Sequence, residues 1–237
     1  MGAIYLLSLR QFSGRLRLSI MAVLAALPIL IAVVSVRSEQ APSVGEFESA
    51  VLSALLAGSI APLVVLAIAS VAFSNEIEDR TLANLTLAPI PRWHIVVPKL
   101  LAAVTVAGTF MTASAFLTSH VAFNSDGAAT VAVTVSALIG VLMYASAFIW
   151  LGLVSKQAIG FGLAYIVLWE GFFGGFVSNI RYLSIRHYAI AFMHGLDGRR
   201  FAEASNVSFG VAIAASVGVI AMFLFLSIRR IRRMDVP

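Results

Sequence analysis

The residues best placed to make specific polar contacts lie in one internal segment, residues 74–94. Glu76 and Asp79 follow a serine that can cap a helix, and carboxylates favour the positive end of a helix dipole. Pro89 and Pro91 would then stop that helix. Such a segment can contact a partner through its charges, or it can be a capped connector without a special role. The residues singled out are Glu76, Asp79, Arg80, Pro89, Pro91 and Arg92.

Glu170 is the one acidic residue well inside an apolar run. Placing a carboxylate near the centre of a bilayer costs about 2.5 to 3.5 kcal/mol, so this side chain should face protein or water. Three interpretations remain open. Glu170 could line a substrate path, pair with Arg181, or be hydrogen-bonded at a contact between helices.

Several chemistries have no matching pattern in this sequence. The four histidines show no metal-binding spacing, there is no G-x-S-x-G, and no G-x-x-x-x-G-K-[ST] phosphate loop occurs. Cysteine is absent, which excludes thiolate catalysis and cysteine-ligated metals. We therefore predict no catalytic residue, no metal site and no cofactor bound by this chain.

The composition indicates a membrane protein. Of the 237 residues, 60% are hydrophobic and only 11% are charged, whereas soluble domains are about one quarter charged. Basic residues sit at the ends of apolar runs, which argues against a nucleic-acid surface and for contact with lipids. We predict one all-α polytopic domain over residues 1–237 with six membrane spans. The runs cover residues 18–36, 51–73, 99–122, 129–153, 157–176 and 208–228.

The distribution of Lys and Arg predicts the orientation, because basic residues concentrate on the cytoplasmic side. With six spans, both termini lie on one face. That face would carry Arg10, Arg15, Arg17, Arg80, Arg92, Lys99, Lys156, Arg229, Arg230, Arg232 and Arg233. The other face would carry Arg37, Arg181, Arg186, Arg199 and Arg200. Both termini and the polar segment at residues 74–98 are therefore predicted to be cytoplasmic.

Residues 1–17 are predicted to form an amphipathic helix at the inner surface. Tyr5, Leu9, Phe12 and Leu16 share one stripe of a helical wheel, and the basic residues lie away from it. Alternatively, this region is the basic cytoplasmic end of the first span. Either interpretation keeps it on the inner face.

The polar segment resembles a known family. An acidic residue, then Arg80-Thr-Leu, the run Leu-x-Leu-Ala-Pro-Ile-Pro-Arg-Trp93, and Lys99-Leu-Leu-Ala are similar to the cytoplasmic loop of ABC-2 type transporter permeases. The likeness covers residues 76–102, and the plan of six spans with cytoplasmic termini also fits. Arg80 and Pro98 stand where that family usually has glycine. The resemblance implies that residues 74–98 contain a coupling helix that docks into an ATP-binding subunit.

The family plan also places short outer helices between the last two spans. Residues 177–207 independently contain two apolar pieces that are too short to cross a bilayer, separated from the last span by glycines and by Arg199 and Arg200. We predict a re-entrant hairpin here. An ordinary outer loop with some apolar residues is the alternative.

The function implied by the resemblance is that of a permease subunit of an ABC exporter in a bacterial plasma membrane. It would have no ATPase site of its own. ATP and Mg²⁺ would be bound by two copies of a separate ATP-binding cassette subunit, and a second permease would complete a homodimer or a similar heterodimer. Few charges within the spans favour amphipathic or hydrophobic cargo. The alternatives are a secondary carrier or channel working alone, or a scaffold subunit that transports nothing.

Overall fold

The computed structural model describes residues 1–38, 42–73, 91–173, 184–201 and 207–233. Every regular element in these ranges is helical, which confirms the all-α prediction. Five of the described helices are long and apolar enough to cross a membrane. A chain with this many spanning helices is a multi-pass membrane protein.

The helices are numbered here in chain order. In the described ranges they are α1 (Gly2–Phe12), α2 (Arg15–Arg37), α3 (Val44–Phe73), α4 (Trp93–Ala122), α5 (Gly127–Val154), α6 (Ala158–Ala164, continued by π-helical turns over Tyr165–Phe173), α7 (Ile185–Leu196) and α8 (Phe209–Arg233). Within α3, the stretch Glu48–Ile60 also forms π-helical turns.

Five of the six predicted spans correspond to α2, α3, α4, α5 and α8. The remaining run, residues 157–176, corresponds to α6, which is described only as far as residue 173. Six spans therefore remain a prediction. The predicted re-entrant region contains α7, whose 12 residues are too few to cross a bilayer. Its hairpin form also remains a prediction, because residues 174–183 and 202–206 lie outside the described ranges.

Polar residues begin two of the long helices. Ser43 and Glu46 form a capping box at the start of α3, with the Ser43 amide donating to the Glu46 carboxylate at 2.8 Å. Asp126 caps α5 by accepting from the amide of Ala128 at 3.1 Å. The tight turn before α5 uses left-handed backbone at Asn124, with a φ of 51°, and at Ser125, with a φ of 65°.

The first helix is shorter than predicted. It ends at Phe12, where the Ser13 hydroxyl donates to the Leu9 carbonyl at 2.6 Å, and α2 begins after Gly14. Phe12 is buried, and Tyr5 and Leu9 pack against the core as the stripe predicts. The inclusion of Leu16 was wrong, because it belongs to α2 and is 75% exposed. The break before Arg15 interrupts the helical register on which the stripe depended.

The start of the third span also differs from prediction. The predicted run begins at residue 99, whereas α4 runs without a break from Trp93 through Pro98 to Ala122. Pro98 is tolerated because it lies near the helix start, where its missing N–H leaves only the carbonyl of His94 without its helical partner.

The centre of the bundle is α5, which packs against α3, α4, α7 and α8. In an apolar 18-residue stretch of each helix, 67% of the residues of α3 and 61% of those of α5 are buried. The corresponding shares for α2 and α8 are 22% and 17%. The outer helices expose large apolar side chains such as Val23, Val217 and Phe225. Such a surface suits lipid, which is as apolar as these side chains.

Candidate functional site

The polar segment singled out from sequence lies mostly outside the described residues. Glu76, Asp79, Arg80 and Pro89 fall in the gap at residues 74–90. Pro91 is exposed, and its carbonyl accepts from the amide of His94 at 2.9 Å. Arg92 is half-buried and directly precedes α4. The described end of the segment is therefore an exposed proline followed by a basic residue at the start of a long helix.

A buried lysine, Lys99, bridges the described residues on either side of this gap. Its side chain is only 1% exposed, and its Nζ donates to the carbonyl of Ala72 at 2.5 Å. The same Nζ lies 4.4 Å from the centre of the Phe73 ring, a cation–π contact. Lys99 thus connects the start of α4 to the last described turn of α3.

The same end of α3 also approaches its neighbours very closely. A Cβ on Gly152 of α5 would lie 2.3 Å from the carbonyl oxygen of Ser70, and a Cβ on Gly162 of α6 would lie 2.2 Å from a methyl carbon of Leu66. Real Cβ atoms essentially never come so close to another heavy atom. Glycine at these two positions therefore allows α3 to pack directly against the following helices.

Glu170 is fully buried in the π-helical part of α6. Its Oε1 accepts from the Tyr165 hydroxyl at 2.9 Å and from the amide of Ile185 at 3.0 Å. Its Oε2 accepts from the Ser184 hydroxyl at 2.5 Å. These contacts hold the carboxylate at the N-terminus of α7, where the helix dipole favours negative charge. They favour the interpretation of Glu170 as a hydrogen-bonded group at a helix contact.

Arg186 extends this network to α3. Its Nε and Nη2 donate to the Ser53 hydroxyl at 3.1 and 2.8 Å, and its Nη1 lies 3.5 Å from the Glu170 carbonyl oxygen. A Cβ on Gly58 would lie 3.0 Å from the Arg186 Cδ, so the arginine stem fits closely against α3. The start of α7 is thereby bonded to both α6 and α3.

A histidine–carboxylate hydrogen bond and an ion pair connect the other end of α7 and the chain after it to the bundle. His194 pairs with Glu48 at the start of the π-helical stretch of α3, and Arg200 pairs with Asp126 in the turn before α5. The Arg200 hydrogen bond holds the pKa of Asp126 below its ordinary value. Phe123 packs edge-on against both Phe47 and Phe201 beside these pairs.

A cavity of about 410 Å³ lies between α5, α6, α7 and α8. Aromatic side chains dominate its lining, among them Trp150, Phe161, Tyr165, Trp169 and Phe223. The volume falls in the range of small-molecule pockets, about 300 to 1,000 Å³, and none of the described residues that line it is charged. Such a cavity suits a hydrocarbon group.

Three of the four histidines make ordinary polar contacts in the part of the chain that the structure describes. His120 lies 3.2 Å from the Ser125 hydroxyl, His187 lies 2.9 Å from the Ser184 hydroxyl, and His194 pairs with Glu48. Among the described residues, no three metal-ligating side chains are grouped closely enough to hold an ion.

Comparison with known protein families identifies the family of this chain. The model of the family described as ABC-2 family transporter protein matches residues 14–179, which is more than half of the chain. The chain belongs to the ABC-2 family of transporter proteins. A search of curated proteins finds no match.

Membership in the ABC-2 family makes this chain a membrane permease of the ABC transporter type. The matched region includes the polar segment that carried the resemblance, together with Lys99, Gly152 and Glu170. The sequence singled out Glu170, whereas Lys99 entered only as an indicator of orientation and as part of the motif that carries the family resemblance. The available signal was its place among apolar residues, since Val96, Val97, Leu100 and Leu101 surround the Pro98-Lys99 pair. A charge in such a run calls for a partner.

Proposed function

We propose that this ABC-2 permease is the membrane-spanning subunit of an exporter driven by a separate ATP-binding cassette subunit. The observation that carries the proposal is the family match over residues 14–179, which includes the whole predicted coupling segment at residues 74–98. Two ATPase copies would hold ATP and Mg²⁺, and a second permease, identical or similar, would complete the transporter. The assembly would reside in a bacterial plasma membrane with both permease termini in the cytoplasm.

Coupling in this proposal works by contact between proteins. Glu76 and Asp79 would bind polar groups of the ATPase, while Arg80 and Arg92 would pair with its carboxylates. Pro89 and Pro91 would set the shape of the segment by ending its helix. ATP-driven movement of the ATPase subunits would then displace the adjoining ends of α3 and α4.

The cargo is proposed to be amphipathic or hydrophobic. The aromatic-lined cavity of about 410 Å³, whose described lining residues are all uncharged, supports this class of substrate. Tyr165 lines the cavity and also donates to Glu170, whose own side chain is fully buried. This arrangement supports a structural role for Glu170 beside the cavity, and a direct role in a substrate path remains a prediction.

Charge reversal at Arg92 tests the proposed contact. We expect Arg92→Glu to lower the ATPase activity that depends on the permease by about tenfold, because a charge pair across the interface becomes a repulsion. The activity is measured on the complex isolated from native membranes and compared with the ATPase subunit alone. Lys156→Glu is the control, since Lys156 is exposed and predicted to lie on the same face.

The Lys156→Glu control should show the same permease-dependent ATPase activity as the wild type. Equal activity of Arg92→Glu and Lys156→Glu would contradict a role for the segment in coupling. An isolated permease that transports without any nucleotide-binding partner would instead favour the secondary carrier or channel.

A further inference from the structure

The aromatic cavity between α5, α6, α7 and α8 has a lining that selects among hydrophobic ligands by charge. Seven of the twelve described residues that line it are aromatic, and the other five are Ala147, Leu151, Ile185, Val219 and Met222. The faces of aromatic rings carry negative partial charge and attract cations that have lost their hydration. None of the described lining residues is a cation that would compete for these rings. The lining therefore favours a cation over an anion of the same size.

A buried carboxylate lies directly behind this wall. Tyr165 and Ile185 both line the cavity, and they donate to Oε1 of Glu170 at 2.9 and 3.0 Å. Arg186, the cation of the same network, is not among the described lining residues, and its Nε and Nη2 donate to Ser53 of α3. The carboxylate is therefore bonded to the cavity wall itself. In a protein interior its field is screened far less than in water.

The cavity opens to the bilayer between α6 and α8. Helix α8 packs against α4, α5 and α7, whereas α6 packs against α3 and α5. Phe161 of α6 and Met222 of α8 line the cavity and are nevertheless 57% and 49% exposed. Because the apolar outer surface of these helices suits lipid, a ligand dissolved in the membrane can enter from the side. Arg229, the first cation on α8 after the lining residues, is exposed, and water and salt weaken its field.

We propose that this cavity is a binding site for hydrophobic organic cations, which carry their charge on a large apolar body and reach the site from the bilayer. This inference rests on the proposed function, because it names the class of amphipathic cargo that the permease would export. The apolar body would fill the aromatic space, and the charge would lie against the ring faces on the side of Glu170. A compact ammonium ion is excluded, since burying its charge costs more free energy than ring contacts return.

Two probe ions of matched shape test the sign of the charge. Tetraphenylphosphonium is a cation and tetraphenylborate is an anion, and each carries four phenyl groups on a central atom. Saturable binding of each labelled ion is measured by equilibrium dialysis of the purified permease in detergent, with binding to empty micelles subtracted. We expect the cation to bind about tenfold more tightly, as several cation–π contacts would produce. Equal affinities, or tighter binding of the anion, would overturn the proposal.

Two phenylalanines on α8 provide a matched pair of variants. Phe223 lines the cavity, whereas Phe225 is not among the described lining residues and is 61% exposed. Phe223→Leu should weaken tetraphenylphosphonium binding about threefold, the size expected for one lost cation–π contact. Phe225→Leu should bind the cation as the wild type does. The same affinity in both variants would place the bound cation elsewhere and contradict the proposal. The comparison of the two ions needs no variant, so it decides the question even if Phe223→Leu fails to fold.

Transport separates this inference from the proposed function. Inside-out membrane vesicles that contain the permease and its ATPase subunit should take up tetraphenylphosphonium when ATP is added, with the membrane potential collapsed by an ionophore. Phe223→Leu should lower this uptake, and Phe225→Leu should not. Cation binding without ATP-dependent uptake would contradict export and leave the binding site standing. ATP-dependent ATPase coupling in a permease that shows no preference for the cation would instead overturn the binding site and leave the proposed function standing.

Discussion

Two buried charged residues connect helices to one another in this permease. Glu170 accepts from the Ser184 hydroxyl and the Ile185 amide at the N-terminus of α7, and Lys99 of α4 donates to the Ala72 carbonyl of α3. The Glu170 charge matches the sign that the helix dipole favours at the N-terminus of α7. At the residue scale, these two charged side chains join helices that are distant in sequence.

Glu170→Gln should destabilise the protein by about 1.5 to 3 kcal/mol. Three donors converge on the two carboxylate oxygens, and an amide has one oxygen with which to accept them. The free energy of unfolding in detergent micelles measures the effect. Tyr165→Phe should cost less, about 1 kcal/mol, because it removes one of the three donors.

The exposed control for this prediction is Lys156→Met, which should change the free energy of unfolding by less than about 0.5 kcal/mol. If Glu170→Gln is as stable as this control, the carboxylate does not hold the start of α7. The interpretation of Glu170 as a residue that lines the substrate path would then be favoured.

At the scale of elements, glycines decide how closely α3 approaches its neighbours. Gly152 and Gly162 lie where a side chain would overlap Ser70 and Leu66. The Gly152 contact is with backbone, which cannot rotate away as a flexible side chain can. The packing of α3 against α5 is therefore sensitive to the smallest possible substitution.

Gly152→Ala should destabilise the protein by about 1 to 3 kcal/mol, the usual effect of overpacking a core. Gly160→Ala is the matched control, because a Cβ there would meet nothing within 4 Å. Alanine also favours helix over glycine, so Gly160→Ala should be neutral or stabilising by up to about 1 kcal/mol. Thermal unfolding of both variants in the same detergent makes the comparison, and equal midpoints would contradict the close approach.

Hydropathy predicted the long helices well, because a run of about 20 apolar residues has few alternatives in a bilayer. It could not predict tertiary contacts. The end of α1 at Phe12 depends on a local hydrogen bond of Ser13, and the burial of Lys99 depends on Ala72 and Phe73 from another helix. Hydropathy placed the third span from residue 99, whereas the helix that carries it begins at Trp93.

The candidate site was predicted only in part. Glu170 could be singled out because a carboxylate within a span is rare, and its environment required a partner. The identity of those partners, Tyr165, Ser184 and Ile185, follows from the packing of α7 against α6 and has no signal in the sequence. The role of Gly152 was likewise missed, because glycine is common in membrane helices. Its importance comes from the close approach of the Ser70 backbone, which the sequence does not reveal.

At the scale of the whole molecule, the orientation determines what each end of the bundle does. The last described turn of α3 and the start of α4 should face the cytoplasm, where an ATPase can reach residues 74–98. The His194–Glu48 hydrogen bond and the Arg200–Asp126 ion pair should lie on the outer side. The charge distribution of the sequence is the basis for this orientation.

Single cysteines test the orientation directly, because the chain contains none of its own. Ser38→Cys, after α2, should react with a membrane-impermeant maleimide added to intact cells, whereas Gln157→Cys, between α5 and α6, should react only after the membrane is opened. Both positions are exposed, so accessibility within the protein is matched. The reverse pattern would place residues 74–98 outside and remove the basis for coupling.

The most direct test of the central claim is isolation of the wild-type permease from its native membrane with identification of what accompanies it. The account predicts a nucleotide-binding protein in equal number to the permease, with two of each in the assembly, and ATPase activity that falls when the permease is removed. A stable permease that is active without any nucleotide-binding partner would contradict the account.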